Sequence, residues 1–140
     1  MANRKYDKAR EAFASGQINW GADTIKVALV STSYTPDTAA HQFVSDLGSN
    51  RLGSDVTLAG KTATGGVCKA TDPVWTSTPT SGTVGFVVGY KDTGDPTTSP
   101  LIWIDDTASV NGGASGPISL QLNGGQLTVN VDTVNGFFRL

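Results

Sequence analysis

One cysteine (Cys68), one histidine (His41) and one glutamate (Glu11) are all that 140 residues supply of three versatile side chains. Cys68 has no partner within the chain, which excludes a disulfide framework and a multi-cysteine zinc site and leaves a buried structural thiol as the plain reading. A Ser-His-Asp triad has only His41 to draw on, and no Gly-x-Ser-x-Gly elbow accompanies it. Long apolar runs are also missing. Phe86-Val87-Val88 and Leu101-Ile102-Trp103-Ile104 fall far below the roughly 20 residues that span a bilayer. The basic start, Met1-Ala2-Asn3-Arg4-Lys5, lacks the apolar segment of about 7–15 residues that a signal peptide carries, so synthesis and retention in a cytosol are expected. A net charge of −2 gives no general attraction to nucleic acid or anionic lipid, and neither is expected as a partner.

What is present is ordinary for one globular domain: 38% hydrophobic and 16% charged residues. Size scaling takes roughly 21,000 Å² of unfolded surface to about 7,000 Å², enough burial for a core without covalent staples. The charge is uneven, since Arg4, Lys5, Lys8 and Arg10 gather at one end. Residues 4–15 read as a helix with Asn3 as N-cap, with Tyr6, Ala9 and Phe13 on an apolar stripe and Gly16 as the stop. So sparse a stripe is marginal alone and must dock, which makes residues 1–20 a helical arm and 21–140 the β-rich body of one compact domain.

Residues 25–30 form a strand that is apolar on one face and nearly so on the other. Thr35-Pro36-Asp37 then opens a second helix, carried by Ala40, Phe43, Val44 and Leu47 and ended by Gly48. From Gly53 onward, Gly, Thr, Ser and Asp punctuate short β-prone stretches at 56–58, 62–68, 74–77, 83–90 and 101–104. Gly85 and Gly89 within 83–90 suggest a close approach by another group. Residues 118–122 and 127–131 alternate apolar and polar about Asn123-Gly124-Gly125, the pattern of a hairpin, and 136–140 make a last strand. The expected fold is mainly β: a single antiparallel β-sandwich or barrel-like domain with an N-terminal helix and one short early helix.

Chemistry is harder to assemble. Asp92, Asp95, Asp105 and Asp106 offer oxygen to calcium, but their spacing fits no EF-hand loop and turns ordinarily use Asp. Asp105 and Asp106 point to opposite faces of a strand and so make no glycosidase pair. No Gly-rich turn precedes a Lys-Ser/Thr helix start. Trp20, Trp75, Trp103, Tyr34 and Tyr90 are candidates for a stacking platform, with core and interface packing as the commoner use. No catalytic residue, metal ligand or cofactor is expected.

Several segments together resemble the small structural proteins of tailed bacteriophages and prophages. They are the opening Tyr6-Asp7-Lys8-Ala9-Arg10-Glu11-Ala12-Phe13-Ala14-Ser15-Gly16 with Ile18-Asn19-Trp20 and the strand from Ile25, then Tyr34-Thr35-Pro36 and His41-Gln42-Phe43. Tyr90-Lys91-Asp92-Thr93-Gly94, Thr98-Ser99-Pro100-Leu101-Ile102 and the closing Phe137-Phe138-Arg139-Leu140 extend the likeness to nearly the whole chain. The resemblance implies a multi-copy virion protein without catalytic residues: a decoration or cement protein on the major capsid protein lattice, oligomeric, or alternatively a tail or fibre protein with host-glycan contact. The contact residues expected are Arg4, Lys5, Lys8 and Arg10 for charge and Tyr6 and Phe13 for apolar burial.

Overall fold

The computed structural model describes residues 4–140. In chain order the elements are β1 (Arg4–Lys5), α1 (Asp7–Ala14), β2 (Ile25–Ser31), β3 (Arg51–Thr57), β4 (Val67–Cys68), β5 (Val74–Trp75) and β6 (Thr83–Lys91). They continue with β7 (Leu101–Asp105), β8 (Thr107–Val110), β9 (Gly116–Pro117), β10 (Leu120–Gln121), β11 (Leu127–Asn130) and β12 (Phe138–Arg139). The fold is mainly β and sandwich-like, with a large sheet ordered β1-β7-β6-β2-β3 to which β10 adds beside β6. A second sheet runs β5-β11-β8-β9, and β12 pairs with β4. The barrel alternative does not hold, because the large sheet stays open between β1 and β3.

The central strands explain the layering. Val27, Ala28, Leu29 and Val30 of β2 are all fully buried, so both faces of the large sheet are covered. On one face Val27, Gly89 and Trp103 stand in register. Trp20, Phe137 and Phe138 pack on Trp103 with ring centroids 5.9, 4.8 and 5.4 Å away, and α1 joins this cluster through Phe13, 5.9 Å from Phe138. On the opposite face Phe86 meets Tyr34 edge-on at 5.9 Å. The Tyr34 hydroxyl lies 3.1 Å from that of the buried Tyr6 and 2.6 Å from His41 Nδ1.

Four expectations need correction. Arg4 and Lys5 are strand, not helix: they pair with Ile104 and Trp103, and the helix starts only after Tyr6, whose ψ of 144° is extended. Asn3 lies outside the described residues. The helix expected from Thr35 to Leu47 is replaced by a turn at Asp37, whose Oδ1 accepts from the N–H groups of Ala39 and Ala40, and by 3₁₀ turns at Val44–Asn50. Between them, the Gln42 carbonyl accepts from Leu101 N–H and Val44 N–H donates to the Ser99 carbonyl. These long-range bonds hold Phe43 extended, at φ −119° and ψ 160°, against its helical spacing.

The expected hairpin also separates. β10 pairs with Val84 and Thr83 of β6, whereas β11 pairs with β5 and β8. The intervening turn is held by residues 78–79, with Gly124 N–H on the Pro79 carbonyl and Thr78 N–H on the Gly125 carbonyl. Finally, residues 62–68 are mostly not strand: a 3₁₀ turn at Thr64–Gly66 precedes the two-residue β4.

Candidate functional site

The six residues expected to contact a partner sit together near β1 and α1, but most are engaged within the domain. Tyr6 is fully buried, and burial first, then its bond to Tyr34, raises its pKa far above the ordinary value. Its side chain is core and is not presented to a partner. Phe13 is half-buried against Phe138. Lys8 pairs with Glu11 at 2.9 Å and Arg10 with Asp7 at 2.5 Å, each one helical turn away, so α1 balances its own charge. Lys5 Nζ donates to the Arg139 carbonyl at 2.7 Å and stands 6.0 Å from the Phe138 ring centroid. Arg4 is exposed at the edge of the large sheet.

The Lys5–Arg139 bond ties the first described strand to the last, and a face forms where they meet. A groove of about 710 Å³ lies there, lined among others by Lys5, Asp105, Asp132, Phe138 and Arg139. Among the described residues Val134 and Leu140 are the large hydrophobic residues left exposed, at 66% and 61%. Arg139 donates to Asn135 Oδ1 at 2.9 Å, which keeps the guanidinium beside Val134's chain neighbour. Arg139 and Leu140 escape sequence reasoning because 136–140 reads there as one strand finishing the core, whereas only Phe137 and Phe138 of it are buried hydrophobics and Leu140 is exposed; Val134 lies in the turn before it, its N–H on Asp132 Oδ1.

The aromatic platform does not form at the surface. Trp20, Trp75, Trp103, Tyr34 and Tyr90 are all buried, with the indole N–H groups of Trp20 and Trp75 donating to the carbonyls of Thr62 and Ser54. The acids weighed against calcium binding, Asp92, Asp95 and Asp105, serve local structure. Asp92 accepts from Lys26 at 2.9 Å, and this bond, with Gly94 N–H, holds its carboxyl below the usual range. Asp95 accepts from the N–H and hydroxyl of Thr97, and Asp105 from Thr107 N–H. Among the described residues no group of three His, Cys, Asp or Glu side chains is placed to hold a metal ion.

A second concavity, of about 490 Å³, opens over β3. The partners of β2 jump from Val56, opposite Val27, to Leu52, opposite Leu29, so Gly53, Ser54 and Asp55 bulge from the strand. Asp55 Oδ2 there accepts from the Tyr90 hydroxyl at 2.5 Å and from Arg51 at 3.1 Å. No charge pattern in the sequence marks this site, because Tyr90 lies 35 positions away and only the bulge turns Asp55 toward it.

None of the described helices is long and apolar enough to cross a membrane. Comparison of the chain with protein-family models, curated proteins and solved structures found no match.

Proposed function

We propose that this chain is a structural protein of a tailed-phage particle, a decoration or cement protein that binds the major capsid protein lattice and stabilises the head. The observation that carries the reading is the terminal face, where β1 and β12 meet through the Lys5–Arg139 bond, with Val134 and Leu140 left exposed on the segment that ends there. Single exposed apolar side chains and a cation give weak contacts by themselves, and a lattice multiplies them through avidity. Strand addition is a poor alternative route to assembly. β1, β5 and β9 are two residues long, and the β3 edge is bulged and carries Arg51 and Asp55, devices that blunt edge pairing. Assembly therefore rests on side-chain surfaces.

The expected anchor shifts accordingly, from the α1 charges to the terminal face, with Arg4 and Lys5 alongside it. The test is to mix purified protein with expanded capsids that lack it, and to count bound copies per shell subunit at saturation while following the heads' thermal resistance. A fixed stoichiometry with raised resistance supports the reading. Absence of binding sinks it and moves the chain to the tail or a fibre.

A further inference from the structure

We propose that the cleft over the β3 bulge is a binding site for a small saccharide, recognised through two neighbouring hydroxyls. Its volume, about 490 Å³, falls within the range of about 300–1,000 Å³ typical of small-molecule sites. The wall is charged: Lys26, Arg51, Asp55 and Asp92 line it, and they pair as Arg51–Asp55 at 3.1 Å and Lys26–Asp92 at 2.9 Å. Two cations and two anions leave the site neutral, so an ionic ligand would add uncompensated charge while a neutral one with both donors and acceptors would not.

The demand for a donor comes from Asp55. Its side chain is only 9% exposed, Oδ2 already takes bonds from Tyr90 and Arg51, and the covered Oδ1 has no hydrogen-bond partner among the described residues. An ionised oxygen left unpaired in a buried position is costly, and a ligand hydroxyl that donates to it removes the cost. Arg51 supplies the complementary half, because a guanidinium has five N–H donors and this side chain is 35% exposed. Reaching Oδ1 needs a shift in the cleft wall, where Arg51 and Lys26, 35% and 31% exposed, are the more open of the charged side chains. One sugar hydroxyl then donates to Asp55 Oδ1 while its neighbour accepts from Arg51.

The cleft floor is held in place. A Cβ on Gly53, whose φ is +72°, would stand 2.9 Å from Pro79 Cδ, and Trp75 Nε1 donates to the Ser54 carbonyl at 3.0 Å. The bulge is thus fixed from both sides. This inference does not rest on the virion reading, and binding at the cleft is measured on the isolated protein.

The experiment titrates isotope-labelled protein with the methyl glycosides of glucose, galactose, mannose and N-acetylglucosamine, following backbone amide shifts. At least one is expected to shift the amides of Arg51, Ser54, Asp55 and Asp92 saturably, and Asp55→Asn, which keeps the side chain's size, is expected to weaken that binding about tenfold or more. If that variant misfolds, Arg51→Leu decides, with a loss of affinity of several-fold expected. No saturable shift at these amides with any of the four sugars overturns the proposal, as does affinity unchanged in the folded variant. A crystal structure that places only water on Oδ1 in saturating sugar overturns it equally.

Discussion

Trp103 lies over Gly89 so closely that a Cβ at position 89 would stand 1.8 Å from its Cζ3. The ring cannot move aside, being enclosed by Trp20, Phe137 and Phe138. Gly89→Ala is therefore expected to destabilise the domain by about 3 kcal/mol, the upper part of the usual overpacking range, read as a lower midpoint in urea. Titration at single residues sets a second expectation. Burial pushes the Cys68 thiol up to about 11 despite the nearby Lys5, and Tyr90 is raised by burial and by its bond to Asp55. A group whose folded pKa is raised stabilises fully below its unfolded value and loses that contribution as pH climbs. Stability to urea is thus expected to fall from pH 9 to 11, and a thiol reagent at pH 8 is expected to label Cys68 only after unfolding.

At the scale of elements, α1 and β1 belong to the domain and do not form a detachable arm. Tyr6 and Ala9 are fully buried, Tyr6 N–H donates to the Ile102 carbonyl and Asp7 N–H to that of Thr38. Tyr6→Phe keeps the ring and removes its bond to Tyr34, with an expected cost of about 1 kcal/mol. Tyr6→Ala leaves a cavity and should cost about 3–5 kcal/mol, as for other large aromatic truncations. Deleting residues 1–16 should accordingly lower the melting temperature as well as any capsid occupancy, and calorimetry separates the two effects. The Val44–Asn50 turns depend on Asp46, which accepts from the N–H groups of Gln42 and Phe43 at 2.8 and 2.9 Å. Burial raises its pKa, but these two bonds outweigh that and leave it below the ordinary 3.8. Its contribution is complete above that value and is lost as pH falls through the folded pKa, so Asp46→Asn should flatten the acid limb of the stability profile.

The whole molecule has an accessible surface of 6719 Å², close to the about 6,900 Å² that size scaling gives for a folded monomer of this mass. Among the described residues only Val134 and Leu140 are large hydrophobics left exposed, so a proposed oligomer or capsid contact is an addition to a domain whose core is already closed. Such a contact should be removable without unfolding. Replacing both Val134 and Leu140 by Asp is expected to leave the melting temperature within a few degrees, since exposed substitutions usually change stability by about 0.5 kcal/mol or less. The same change should sharply reduce binding to expanded heads, measured by co-sedimentation. Unchanged binding would move the contact away from the terminal face.

Periodicity in the sequence determined the β class, the strands through Val27, Phe86 and Trp103, the α1 core and the close approach at Gly89, because each is written in residues a few positions apart. The fate of segments with two local options was decided only in the folded chain. Arg4 and Lys5 suit a helix until the open edge of β7 offers them hydrogen bonds, and residues 42–44 keep helical spacing until those at 99–101 claim their backbone. The sites follow the same division. Basic residues near the start are visible in the sequence, but whether Lys8 and Arg10 face a partner or their own acids depends on the turn of α1. The Asp55 cleft has no local signature at all, since it arises from a bulge that brings one carboxylate under a tyrosine from another strand.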